Sequence, residues 1–185
     1  MKTDLRVTLT KRLLKEGLLH ELAETPISKI SITDLCDTSG VNRATFYKHY
    51  ESPAMILKEI AQDYAANLED IYKSRMKETK SNDLAVIACL TFLHEKKSEI
   101  KRLFSQNAEN LMIGFGLEIV NNFVADHKLK LREVISENDD DNYLFASLTS
   151  SAAFGLIQAW LINDIEKTPE EIVAFLKMTF ARPFI

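Results

Sequence analysis

The chain has 185 residues, 46% of them hydrophobic and 27% charged, with only two cysteines, Cys36 and Cys89. That composition suits one globular domain of good size, or a small domain beside a larger one, and excludes a fibre, a low-complexity chain and a disulfide scaffold. The formal net charge of −4 is unevenly spread, at +2 over residues 1–50 and −6 over residues 51–185, so an anionic partner is expected to meet the N-terminal end.

In chain order, Leu5, Leu9, Leu13, Leu14, Leu18, Leu19 and Leu22 recur every three or four residues, predicting an amphipathic helix across residues 3–24 with Arg6, Lys11, Arg12 and Lys15 on its other face. Pro26 is expected to end it. In "SITDLCDTSG", Ser31 is placed to cap a short second helix and Gly40 to stop it. "VNRATFYKHY" then predicts a third helix over 43–50, capped by Asn42. On it Phe46 and Tyr50 share the packed side, while Ala44 and Lys48 fall opposite, flanked by Thr45 and Tyr47. Ser52 and Pro53 open a long fourth helix reaching about Lys77. Further helices are expected near 82–94, 96–104, 108–136, 141–164 and 169–181, started by Ser81 or Asn82, by Asp139 or Asp140, and by "TPEE" at 168–171. No segment alternates like a strand, so the fold class is all-α.

Two short helices joined by a glycine-containing turn, the second exposing a polar face, describe a helix-turn-helix, whose second helix enters the DNA major groove. The side chains suit that use. Arg43, Lys48 and His49 can pair with phosphates, Thr45 and Tyr47 carry hydroxyls, and Ala44 allows close approach to a base edge.

The stretch "ISITDLCDTSGVNRATFYKHYESPAMIL" resembles the DNA-binding domain of the TetR family of bacterial transcription regulators. The second-helix "IxDLC", the "SGV" turn, the "TFYKHY" helix and the immediate start of a long fourth helix carry the likeness, which covers about residues 5–60. It implies an N-terminal three-helix helix-turn-helix domain over 1–52, followed by a larger helical ligand-binding and dimerisation domain over 53–185. Position by position, it implies that Tyr47 and His49 hold backbone phosphates and that Arg43, Ala44, Thr45 and Lys48 face the groove. Asn42 stands at the helix cap, and Thr33 reaches the backbone from the second helix. Pro53 stands where the family often has a lysine, so one phosphate contact is missing.

A single short recognition helix makes few contacts, so two copies on a pseudo-palindromic double-stranded DNA site are expected, hence a homodimer. The candidate dimer interface is Ala146, Ser150, Ala153 and Gly155 with Ile172, Phe175 and Leu176, on the last two long helices; the same residues also suit a core within one chain. By the resemblance, Tyr64, Phe92, Phe104, Leu111, Met112, Phe115, Phe123 and Trp160 are candidates to line a cavity for a small-molecule effector. The functional expectation is therefore a ligand-responsive repressor; the alternative keeps the fold but acts through a protein partner, as co-regulator or adaptor.

Other chemistry finds no residues. The acidic "ENDDDNY" at 137–143 lacks the central glycine and distal glutamate of a calcium loop. His20, His94 and His127 stand singly, with no second ligand at metal spacing along the chain. No catalytic fingerprint occurs, so neither an enzyme nor a cofactor is expected. No unbroken apolar run approaches the roughly 18 residues of a spanning helix and no secretory leader is legible, so the expected location is the cytoplasm, with no membrane partner.

Overall fold

The computed structural model describes residues 5–105, 107–127 and 138–181. Among them every regular element is helical. The described residues fall into two compact units, one from Met1–Tyr64 and Lys101–Ile113, the other from Ala65–Ile100 and Gly114–Ile185.

The first unit begins with α1 (Leu5–Glu21), followed by α2 (Ile32–Ser39) and α3 (Arg43–Tyr47). The apolar stripe of α1 is used unequally: Leu14 and Leu18 are fully buried, whereas Leu5 and Leu9 stay exposed. The helix stops at Glu21 rather than Glu24, because residues 22–25 close as a turn before Pro26. A single 3-10 turn, Ile27–Lys29, leads to α2. There the predicted caps are in place. Ser31 Oγ accepts from the Asp34 amide, and Gly40, at φ 68°, ends the helix in the left-handed region that glycine tolerates best.

α1 and α2 pack closely because Gly17 has no side chain: a Cβ there would lie 2.9 Å from the Ser39 Cβ. The Thr38 hydroxyl also bonds the Glu21 carboxylate across this junction. Behind α3 lies a core of Leu35, Val41, Phe46 and Tyr50, joined by Ile56 and Leu57 from α4 (Pro53–Thr79). Asn107 closes the unit from a distant part of the sequence. Its side-chain amide donates to the Leu22 carbonyl, and its own carbonyl accepts from the Ile27 amide, each at 2.9 Å.

The second unit holds the rest of α4 and α5 (Asn82–Glu95), with most of α6 (Lys97–Leu103) and of α7 (Glu109–Asp126), then α8 (Asp139–Ile162) and α9 (Pro169–Ala181). Ser81 caps α5 and Asn138 caps α8; the predicted carboxylates at 139 and 140 instead follow the cap as the first helical residues. Thr168 and Glu171 form a reciprocal capping box at the start of α9, each side chain accepting from the other's amide. The helix predicted over 108–136 is seen as far as Asp126, and residues 128–137 lie outside those described.

α5 packs on α9. Gly116 on α7 gives room to the Phe154 ring of α8, whose Cε2 stands 2.3 Å from where a Cβ would be. Trp160 is fully buried, its indole N–H donating to the Lys167 carbonyl, and His94 stacks on it at 5.2 Å. α8 is also long and apolar enough, by length and composition alone, to cross a membrane. Its apolar residues are interrupted by Thr149, Ser150, Ser151 and Gln158, so they do not form the unbroken run sought in the sequence.

Candidate nucleic-acid interface

The second helix of the helix-turn-helix is set by its cap and by one aromatic anchor. Asn42 Oδ1 accepts from the Thr45 amide at 2.8 Å, which fixes the first turn of α3. Phe46, completely buried, pins it to the core, and Tyr47 packs edge-on against the Phe46 ring at 5.6 Å. Tyr47 itself remains 55% exposed, so the Phe46 contact orients a phenol whose body is held and whose surface faces water. After Tyr47 the backbone tightens to i→i−3 bonds, Lys48 to Thr45 and His49 to Phe46. The regular helix is thus shorter than the predicted 43–50, although the turn continues the same winding.

Arg43, Ala44, Tyr47 and Lys48 are exposed together on one side of this turn, with Thr45 and His49 half-buried at its edges. Thr33, near the start of α2, is exposed as well, as is the capping Asn42. Pro53 occupies the first position of α4, half-buried. A positively charged, hydroxyl-bearing surface presented by a rigid short helix can meet phosphates with Arg43 and Lys48 while leaving a small residue, Ala44, for close approach.

An ion-pair network braces this surface from behind. Lys11 Nζ reaches Glu59 Oε2 at 2.8 Å; Lys15 Nζ reaches Glu59 Oε1 at 2.8 Å and Asp63 Oδ2 at 2.5 Å. Burial alone raises the Glu59 pKa, but the two lysines outweigh it and bring the carboxyl down to about 2. Burial likewise opposes the charge on Lys15, and the two carboxylates more than restore it, so its pKa rises. The Tyr50 phenol is pushed well above its ordinary range, by burial first and then by the Glu59 carboxylate, and Lys11 lies 5.5 Å from the centre of its ring. Lys11 and Lys15, expected on an open face of α1, therefore tie α1 to α4. Sequence periodicity put these lysines on the right face and gave no sign of their partners 48 residues away.

The second unit contains a cavity of about 440 Å³. Its wall is aliphatic, built mainly from Leu90, Leu93, Ile119, Val120, Ile157 and Val173, with Phe123 as the one aromatic side chain among the described residues. Of the pocket candidates Phe123 alone lines it. Tyr64, Phe104, Leu111 and Met112 belong to the first unit, while Phe92, Phe115 and Trp160 belong to the second without reaching this wall. Bulky aromatic side chains fill space, and the cavity remains where branched aliphatic residues face one another. Cys89 is part of the wall; its Sγ donates to the Leu68 carbonyl at 3.4 Å, and burial pushes the thiol up to about 12, so it stays protonated and unreactive. Burial also raises Cys36, against the pull of Arg43.

Beside the cavity, His127 Nε2 meets Glu69 Oε2 at 2.6 Å while its ring lies on Tyr72 at 3.9 Å. The pairing joins residues 58 apart, so His127 stands singly in the sequence and not in the fold. Of the dimer candidates, Ser150, Ala153, Ile172 and Leu176 are buried inside the unit, with Ala153 and Leu176 in the cavity wall. Ala146, Gly155 and Phe175 are exposed.

Residues 83–181 match the sequence profile of a TetR-type transcriptional regulator C-terminal region, which covers more than half of the chain. The chain belongs to the TetR family of transcriptional regulators. The N-terminal likeness and the C-terminal match thus agree from different parts of the chain. A TetR transcriptional regulator from Streptococcus agalactiae 2603V is similar in structure, at a TM-score of 0.68 and 22% identity over 96% of each chain. The fatty acid degradation regulator FadR from Bacillus halodurans superposes at 0.61 and 12% identity, covering 100% of this chain and 98% of its own. A putative TetR-family regulator from Syntrophomonas wolfei str. Goettingen gives 0.59 and 16% over 93% of each. At these identities the likeness carries the fold, an N-terminal helix-turn-helix followed by a helical C-terminal region. A sequence comparison with curated proteins finds no match.

Proposed function

We propose that this TetR-family regulator is a homodimeric, effector-responsive repressor that binds a pseudo-palindromic operator through α3. The reading rests on one observation above the rest: a capped, Phe46-anchored short helix that presents Arg43, Ala44, Tyr47 and Lys48 together to solvent. In this reading Tyr47, His49 and Arg43 position the head on phosphates, with Thr33 and Asn42 reaching the backbone beside them. Ala44, Thr45 and Lys48 meet base edges. Residues 1–52 would carry DNA contact and residues 53–185 effector binding and dimerisation, although the compact unit that holds the head also takes in 53–64 and 101–113.

The support for a dimer lies on α8. Leu144 and Leu148, 64% and 52% exposed, fall on one stripe with exposed Ser151, Ala152 and Gly155, at spacings of four and three. Phe175 and Met178 of α9 are exposed too. Such a surface is costly to leave in water and suits a second copy of the same helices. The effector would act by binding one dimer conformation better than another.

Selection from a pool of random duplexes tests the reading. The expected winner is an inverted repeat with half-site centres separated by about one or more helical turns. The Tyr47→Ala/Lys48→Ala double variant is expected to enrich nothing while keeping its helical circular-dichroism spectrum. Failure of the unaltered chain to enrich any duplex at low salt would overturn it.

A further inference from the structure

The cavity of the second unit has one polar end and an otherwise apolar wall. Among its described lining residues only Asn82, Asp83 and Lys177 carry an amide or a charge, and Lys177 Nζ bonds Asp83 Oδ2 at 2.6 Å. The remaining α5 contributors, Val86, Cys89, Leu90 and Leu93, follow Asn82 and Asp83 at three- and four-residue spacing along one face. From Asn82 to Leu93 that face rises by about 16 Å at 1.5 Å per residue. The space is therefore elongated, wet at the first turn of α5 and apolar beyond. With about 30 Å³ for each water-sized group, a volume of about 440 Å³ holds on the order of a dozen heavy atoms. With a single aromatic ring, Phe123, among its described residues and aliphatic side chains for the rest, the wall suits a flexible aliphatic ligand better than a flat stacked one.

The charge of the ligand's head follows from what each partner of the ion pair would lose. Both side chains are more than half exposed, so the pair opens at little cost. If an incoming anion takes Lys177, the freed Asp83 stays in water within the first turn of α5, where the helix dipole favours a carboxylate. If an incoming cation takes Asp83, the freed Lys177 ammonium is equally in water but lies outside the last turn of α9, so no helix end favours its charge. Asn82 is partly committed, since its Oδ1 accepts from the Tyr72 hydroxyl at 2.8 Å, but its amide can still donate to an anion.

We infer that the effector site of this regulator takes an aliphatic chain of about ten carbons ending in a free carboxylate, with Lys177 as the partner of the carboxylate. This names the ligand class of the effector site proposed above and so rests on that reading.

Isothermal titration of the full chain with decanoate, methyl decanoate, decylamine and butyrate, below their micelle concentrations, tests it. Decanoate should bind at least fivefold more tightly than decylamine or methyl decanoate, and butyrate should not bind measurably. Methyl decanoate separates a free acid from an esterified acyl chain. Lys177→Met should weaken decanoate at least threefold with methyl decanoate unchanged, and Lys177→Glu should reverse the preference toward decylamine. Unchanged methyl decanoate affinity shows that each variant is folded. Absence of decanoate binding, equal binding of decanoate by Lys177→Met, or tighter binding of the amine or ester by the unaltered chain overturns the inference. Duplex selection with the unliganded protein is scored separately: decanoate binding without DNA selection would sink the regulator reading and keep the ligand class, and the converse would do the opposite.

Discussion

Glu59 shows how a single half-buried charge supports the α3 surface, which it never touches. Its carboxylate holds Lys11 and Lys15 against α4 and lies beside the Tyr50 phenol that backs α3. Its folded pKa of about 2 lies below the usual unfolded value, so its contribution to stability is complete above pH 4.5 and disappears as pH falls toward 2. Glu59→Gln is expected to lower unfolding free energy by about 2 kcal/mol at pH 7. In urea titrations the gap between variant and parent should narrow steadily from pH 5 to pH 2; a gap that is constant with pH would show that the carboxylate charge is not the source. Such tertiary partners are what the sequence concealed. Local chemistry was legible: Ser31, Gly40 and Asn42 each do what their type and position suggest, because a cap needs only the three or four residues beside it. Glu59, Asn107 and the Glu69 partner of His127 act across 48 to 85 residues, and no periodicity encodes that.

Among the helices, the close approach of α1 and α2 depends on Gly17. Alanine would ordinarily gain about 1 kcal/mol over glycine inside a helix. Here its Cβ would stand 2.9 Å from the Ser39 Cβ and 3.3 Å from Ser39 backbone atoms, which cannot swing aside as a long side chain can. Overpacking of about 1–3 kcal/mol therefore outweighs the propensity gain. Gly17→Ala should melt several degrees lower than the parent by calorimetry; a rise in melting temperature would mean that α2 relaxes freely. Helix order and most helix limits were legible, since the starts of α2, α3, α5, α8 and α9 carry side-chain caps. The cavity was not. Aromatic and methionine residues look like pocket material in a sequence, yet Trp160 and Met112 are packed solid, and the space lies between valines, leucines and isoleucines that read as ordinary core.

For the whole molecule, the acidic charge of residues 51–185 works against indiscriminate DNA binding, so affinity must come from well-placed contacts. In the proposed reading Arg43 on the five-residue α3 and Lys48 at its C-terminal cap would neutralise only a few phosphates. Each neutralised phosphate contributes about 0.9 to the slope of log affinity against log salt, so one head alone binds weakly at cellular ionic strength. Two heads held by one interface double that slope and bind as a unit. Leu148 is the residue through which to test this, being exposed at the middle of the apolar stripe of α8 and outside the cavity wall. In a twofold interface a glutamate there would face apolar surface, and often its own symmetry mate, at a cost of several kcal/mol per dimer. Leu148→Glu is expected to sediment as a monomer at micromolar concentration, with unchanged helical content. Its affinity for the inverted repeat should fall at least a hundredfold and its salt slope by about half, leaving it near the affinity of the parent for an isolated half-site. A variant that stays dimeric would place the interface elsewhere, and a monomer that keeps full operator affinity would remove the need for two heads.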